Sequence, residues 1–214
     1  IVFILDEMIT GFRWHLKGAQ HFYGVKPDLS TFGKAMANGF SVSAVCGKKK
    51  IMELGSITNK TEERVFLLST THGAEMNSLS AFIETVKFIK KNKVIKNNWN
   101  YGAKLIEESN KISKKIGINE YFNFSGIACS PLFNCLDNNK NNSLEFRTLF
   151  IQEMLKHGIL MPWVSIAYRH SDKTLKKTLI AMEKTLYVYK KALKYGVKNF
   201  LKGHVIKPVF RRFN

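Results

Sequence analysis

Asp6 and Lys34 are the two residues of this chain whose types and settings could act on one ligand. Asp6 closes the apolar run Ile1 to Leu5 and leads into Glu7 and a Thr-Gly turn in ILDEMITGF. Lys34 lies in STFGKAMANG, where small residues and glycines hold it close to the backbone and leave room for a flat molecule. A desolvated lysine amine can condense with a carbonyl carbon. Neither residue is specific taken alone. An acid after a strand commonly caps the next turn, and a single lysine among many is ordinarily solvated.

The elements that must position these two residues follow from hydrophobic pattern. An apolar run without alternation reads as a strand covered on both faces, the usual state of a parallel sheet flanked by helices, and in such sheets ligands sit beyond the carboxyl ends of the strands. Asp6 is at that end. The stretch from Gly11 to Phe40 is rich in Gly and aromatics and has no long helical period, so loops with short elements are expected there, and long loops in compact domains are usually functional. SVSAVCG (41–47) reads as a strand and KKKIMELG as a short helix. Met76, Leu79, Ile83 and Val86, with Phe82 or Ile89, recur at helical spacing, and a long helix over 94–116 ends at Gly117. YFNFSGIACSPLFNCLD reads as paired short strands and DNNKNN as a turn, while Ser143 caps a helix running to Gly158. GILMPWVSIA is expected to be extended. From Ser171 a last helix buries Leu175, Leu179, Met182, Leu186, Tyr189 and Leu193.

Composition narrows the classes. The chain has 214 residues, 45% hydrophobic and 12% aromatic, which is globular rather than disordered. No apolar run reaches the roughly 20 residues a membrane span needs, so a cytoplasmic protein with no membrane partner is expected. The net charge of +18 comes almost wholly from lysine, with six arginines, spread over segments such as KKNKVIKNNWN. Base reading and bidentate phosphate contact favour arginine, so no nucleic-acid partner is expected. Cys46, Cys129 and Cys135 show no CxxC spacing and the six histidines no HxxxH pairing, so reduced core thiols and no metal site are expected.

Four segments in order, ILDEMITGFRW, GVKPDLSTFGKAMANGFSVSAVCGKKKIMELG, FLLSTTHGAEMNSLSA and HSDKTLKKTL, resemble the class III pyridoxal-phosphate-dependent aminotransferases, most of all the glutamate-1-semialdehyde 2,1-aminomutase type. The resemblance implies an α/β fold: part of the large domain of a fold-type I transferase in residues 1–97, and a small α+β domain in 98–214. It implies pyridoxal 5'-phosphate as cofactor, with Lys34 the catalytic lysine that binds its aldehyde and then serves as general acid and base. Asp6 would pair with the pyridine nitrogen. Met8, where the family usually has Val or Ile, would pack on the ring or simply fill the core. Thr70, or Thr71 if the register slips by one, would reach across a homodimer interface to the cofactor phosphate, the alternative for the pair being a helix cap.

Glu7 is assigned a structural hydrogen bond. Arg13, His15, Tyr23, Arg169 and His170 could face a substrate carboxylate but are not promoted, since exposed Arg and His are commonly solvated. The sequence opens on Ile inside an apolar strand, so a longer chain is expected to supply the phosphate cup and the stacking aromatic, and these residues alone are expected to bind cofactor poorly. The implied substrate is a small amino or carbonyl compound: glutamate-1-semialdehyde giving 5-aminolevulinate on the route to tetrapyrroles, or, for a conventional transaminase, a keto acid or sugar derivative. A basic binding protein without catalysis is the competing class.

Overall fold

The computed structural model describes residues 1–58, 73 and 75–207, which form two compact units, Ile1–Lys96 and Asn97–Asn214. In chain order the elements are β1 (Ile4–Asp6), α1 (Gly18–Tyr23), β2 (Leu29–Phe32), a 3-10 turn at Lys34–Met36, β3 (Ala44–Gly47), α2 (Lys49–Met52), α3 (Met76–Lys91), α4 (Val94–Ile116), β4 (Phe122–Ile127), β5 (Ser130–Cys135), α5 (Leu144–Lys156) and α6 (Asp172–Tyr195).

In the first unit the sheet order is β1-β2-β3. β1 runs parallel to β2 with Asp6 opposite Thr31, and β2 runs antiparallel to β3 with Thr31 opposite Val45. Asp28 ties the start of this sheet together: its carboxylate accepts from Phe3 N at 2.7 Å and Lys48 Nζ at 2.6 Å, and its carbonyl accepts from Lys48 N at 2.9 Å. The Lys48 hydrogen bond, followed by that of Phe3, holds the Asp28 carboxyl below its ordinary range.

Two expectations about this sheet need correction. It is mixed rather than parallel, because β3 returns from β2 in the opposite sense. Nor is the first strand covered on both faces: Phe3 is 45% and Ile4 57% exposed. β1 has β2 as its one strand neighbour among the described residues. The predicted packing stripe of α3 is likewise partial, since Ser78 and Ile89 are buried while Met76 and Ile83 are exposed.

The helices and the strand pair of the second unit follow the periodicity of their residues. Polar residues spaced along α4 hold β4: Ser113 Oγ donates to Phe122 O at 2.6 Å, and Asn110 exchanges two hydrogen bonds with Phe124. β4 and β5 pair antiparallel from Phe122↔Cys135 to Ile127↔Ser130. Behind them Phe122, Phe133, Phe146, Phe150 and Tyr189 form an aromatic core, with Phe122 and Phe150 centred 4.7 Å apart and Phe146 and Tyr189 4.6 Å apart. The Tyr189 hydroxyl donates to Leu136 O at 2.7 Å, and burial raises its ionisation well above the usual phenol range.

Ser143 caps α5 by accepting from Phe146 N, and Ser171 opens α6 in a reciprocal capping box with Thr174. Gly117 and Gly158, at φ +78° and +73°, end α4 and α5 in the left-handed region that glycine enters freely. The expected extended strand over 158–167 is absent: the segment has no regular structure, and Arg147 Nη2 donates to Pro162 O at 2.8 Å where a neighbouring strand would otherwise pair. Among the described residues no helix is long and apolar enough to cross a membrane, and no group of three or more His, Cys, Asp or Glu side chains is placed to hold a metal ion.

Candidate active site

The parallel pairing of β1 and β2 brings the carboxyl ends of both strands together. Asp6 is the last residue of β1, and its register partner Thr31 lies three residues before Lys34. Asp6 Oδ1 accepts from Met8 N at 2.8 Å and from Thr31 Oγ1 at 3.2 Å. Its Oδ2 has no partner among the described residues and the residue is exposed, so the carboxylate is oriented through one oxygen and unbonded at the other among those residues.

Lys34 is exposed and begins the 3-10 turn with φ +44°, a left-handed conformation that is uncommon for a residue with a Cβ. The turn closes through Met36 N to Gly33 O at 3.0 Å and Asn38 N to Lys34 O at 3.2 Å, with Asn38 itself at φ +50°. Met36 and Ala37 are buried and anchor it, so the loop is held from below while the lysine amine stays without a partner among the described residues.

Met8 bridges the two segments. A Cβ on Gly33 would lie 2.9 Å from Met8 Sδ and closer still to Cε, so the glycine leaves the space that the thioether fills. Met8 thus packs against the lysine loop at Gly33. Glu7, by contrast, is fully buried, and its carboxylate accepts from Ala19 N and Gln20 N, both at 2.8 Å, and from Thr10 Oγ1.

Thr70 and Thr71 lie outside the described residues. His15 stacks on His21 at 4.1 Å, and burial, then His21 and Lys17, push its imidazole below the usual value. Tyr23 is exposed against Phe22. His170, in the second unit, accepts from Ala167 N at 3.3 Å in the turn that precedes α6. A core position expected of all three thiols holds for Cys129 and Cys135, and burial pushes Cys135 up to about 12, but not for Cys46, which is exposed on β3.

Thr31 was not singled out by sequence. Its only signal is its position in the strand leading to Lys34, and its hydroxyl matters only once the register is known.

An exposed carboxylate at the sheet rim, an amine without a partner among the described residues on the next loop and a thioether against that loop are an acceptor, a carbonyl-reactive group and an apolar surface.

The aminotransferase class-III family matches residues 1–176. Among curated proteins, the 3-aminobutyryl-CoA aminotransferase of Cloacimonas acidaminovorans is 33% identical over 193 residues, covering 89% of this chain and 44% of that protein. The glutamate-1-semialdehyde 2,1-aminomutase of Nitrosopumilus maritimus is 35% identical over 194 residues, covering 85% and 44%. In fold the chain is similar to an omega-transaminase from Sphaerobacter thermophilus, with a TM-score of 0.77 at 19% identity, over 89% of this chain and 45% of that one. The chain thus spans less than half the length of the curated relatives it matches.

Proposed function

The chain belongs to the aminotransferase class-III family, and from that premise we propose that it is the part of a pyridoxal-phosphate-dependent aminomutase that carries the catalytic lysine. The reaction is transfer of the amino group within glutamate-1-semialdehyde to give 5-aminolevulinate. The observation that supports this most is the Asp6↔Thr31 pairing, which sets the half-open carboxylate at the rim of the strand that leads into Lys34.

When bound, pyridoxal phosphate supplies an electron sink for the bond that is broken at the substrate carbon. Asp6 would receive the ring N–H through Oδ2 and keep that nitrogen protonated. Lys34 would hold the cofactor by its aldehyde carbon, and its amine, once displaced, would carry the proton between substrate carbons. Met8 packs the ring side of the lysine loop. Thr70 is proposed to donate to the phosphate of a cofactor bound by a second copy of the chain, which makes the working unit a homodimer. Residues 1–97 would then be cofactor-binding large domain and 98–214 the small domain.

A second reading, a transaminase that takes its nitrogen from an external donor, is favoured by the similarity to an aminotransferase at nearly the same identity as to an aminomutase, 33% against 35%. One assay separates them. Glutamate-1-semialdehyde converted without any added amino donor supports the mutase, and an absolute donor requirement supports the transaminase. Loss of both activities in Lys34→Ala is expected in either case, and an active Lys34→Ala enzyme ends both.

A further inference from the structure

Glu7 stands next to the proposed ring-binding acid, yet it has no ligand to touch. The residue is 0% exposed, and both carboxylate oxygens accept from the following loop: Oε2 from Ala19 N and Thr10 Oγ1, Oε1 from Gln20 N. No Lys, Arg or His pairs with it among the described residues, so two backbone amides and one hydroxyl are what hold this buried carboxylate. Gly18, at φ +82°, makes the approach possible, since a Cβ there would run into the carboxylate. The main chain of Glu7 is fixed as well, donating to Thr31 O at 2.9 Å and accepting from Gly11 N at 2.8 Å.

A buried carboxylate is costly to desolvate, and the same loop could be closed with a neutral side chain at less expense. What distinguishes this position is the next link. Asp6 Oδ1 takes its direction from Met8 N, and the Glu7–Met8 peptide that presents this N–H is tied through its carbonyl to Gly11 N, within the segment that the Glu7 carboxylate holds at Thr10, Ala19 and Gln20. We propose that Glu7 is a positioning residue: by clamping residues 10–20 to the end of β1 it fixes the Met8 amide, and through it the rotamer that leaves Asp6 Oδ2 open. This rests on the proposed function, in which Asp6 receives the ring nitrogen.

The test is a double-mutant cycle on pyridoxal phosphate affinity, followed by absorbance of the bound cofactor and run on the full-length protein that contains these residues, well below the unfolding midpoint of every variant. Glu7→Gln keeps the shape but turns a donor toward one of the three donors that face it. It is expected to weaken binding about tenfold and to alter the pH dependence of the bound spectrum, while Glu7→Ala weakens it further. In an Asp6→Asn background Glu7→Gln should add nothing, because the orientation it protects no longer matters. Effects that simply add, or an unchanged affinity in Glu7→Gln, overturn the positioning role and leave the functional reading intact. Absence of Lys34-dependent uptake by the full-length protein, or an Asp6→Asn variant indistinguishable from it, overturns the functional reading and this inference together.

Discussion

Gly102 lies in the middle of α4, where glycine is normally a weakness, and Gly102→Ala sets two effects of opposite sign against each other. Helix propensity alone predicts a gain of about 1 kcal/mol for the substitution. The surroundings predict a loss. A Cβ at this position would lie 2.7 Å from the carbonyl carbon of Ala128 and 2.6 Å from Ile166 Cδ1, with the Ala128 oxygen nearer still, where carbon atoms rest at about 3.5–4.0 Å. Ile166 could swing aside, but Ala128 is backbone in the two-residue connection between β4 and β5 and moves only if the hairpin lifts off the helix. Overpacking costs about 1–3 kcal/mol and occasionally more, and backbone that cannot yield puts this site at the upper end, so the steric loss exceeds the propensity gain and the net change is a destabilisation of about 1–2 kcal/mol. Equilibrium urea unfolding followed by circular dichroism should show a lower midpoint at unchanged slope. Gly203→Ala, where nothing lies within 4 Å of the added methyl, is the control. A Gly102→Ala variant as stable as the parent, or more so, would mean that the hairpin does not sit against α4.

Thr31→Val removes the hydroxyl that steadies Asp6, and cofactor affinity should fall about two- to tenfold with little change in stability; an unaltered binding isotherm would mean that Thr31 does not orient Asp6 toward the cofactor. Asp28→Asn should lower stability at neutral pH. Because the folded-state carboxyl is held below its unfolded value of 3.8, the stabilisation is present above that value and disappears as pH falls through the lowered folded-state value, so denaturation curves of parent and variant should converge in strong acid and separate at pH 7. Of the three cysteines, Cys46 should react quickly with an aromatic disulfide reagent in native protein, whereas Cys129 and Cys135 should react only on unfolding; rapid modification of all three would show the second unit's core to be open.

How far the sequence could be read depended on whether an element is defined by its own residues or by remote ones. α4 and its end at Gly117, the Ser143 and Ser171 caps and the β4–β5 pair were legible because period, cap and turn chemistry lie within a few residues of each other. So was the location of Asp6 at the carboxyl end of a strand. The antiparallel return of β3 and the exposure of β1 were not, since both are set by neighbours rather than by the apolar pattern. The stretch around Pro162 looked extended because it is apolar, but its backbone is satisfied by the Arg147 guanidinium, which no local pattern announces. In the candidate site, the bonds from Thr31 to Asp6 and from Ala19 and Gln20 to Glu7 span 25, 12 and 13 residues, beyond the reach of any motif.

The two sheets differ in the chain length that must be gathered before they can form. β4 meets β5 across a two-residue connection, so that hairpin can zip within about 1–10 μs of the chain being free to move. β1 can reach β2 only after the whole intervening stretch has been drawn into a loop, Ile4 pairing with Leu29, and parallel pairing of this kind returns enthalpy only after the closure entropy is spent. Refolding of this chain should therefore be led by the half bearing the aromatic core, and the rim that presents Asp6 should be among the last surfaces to assemble.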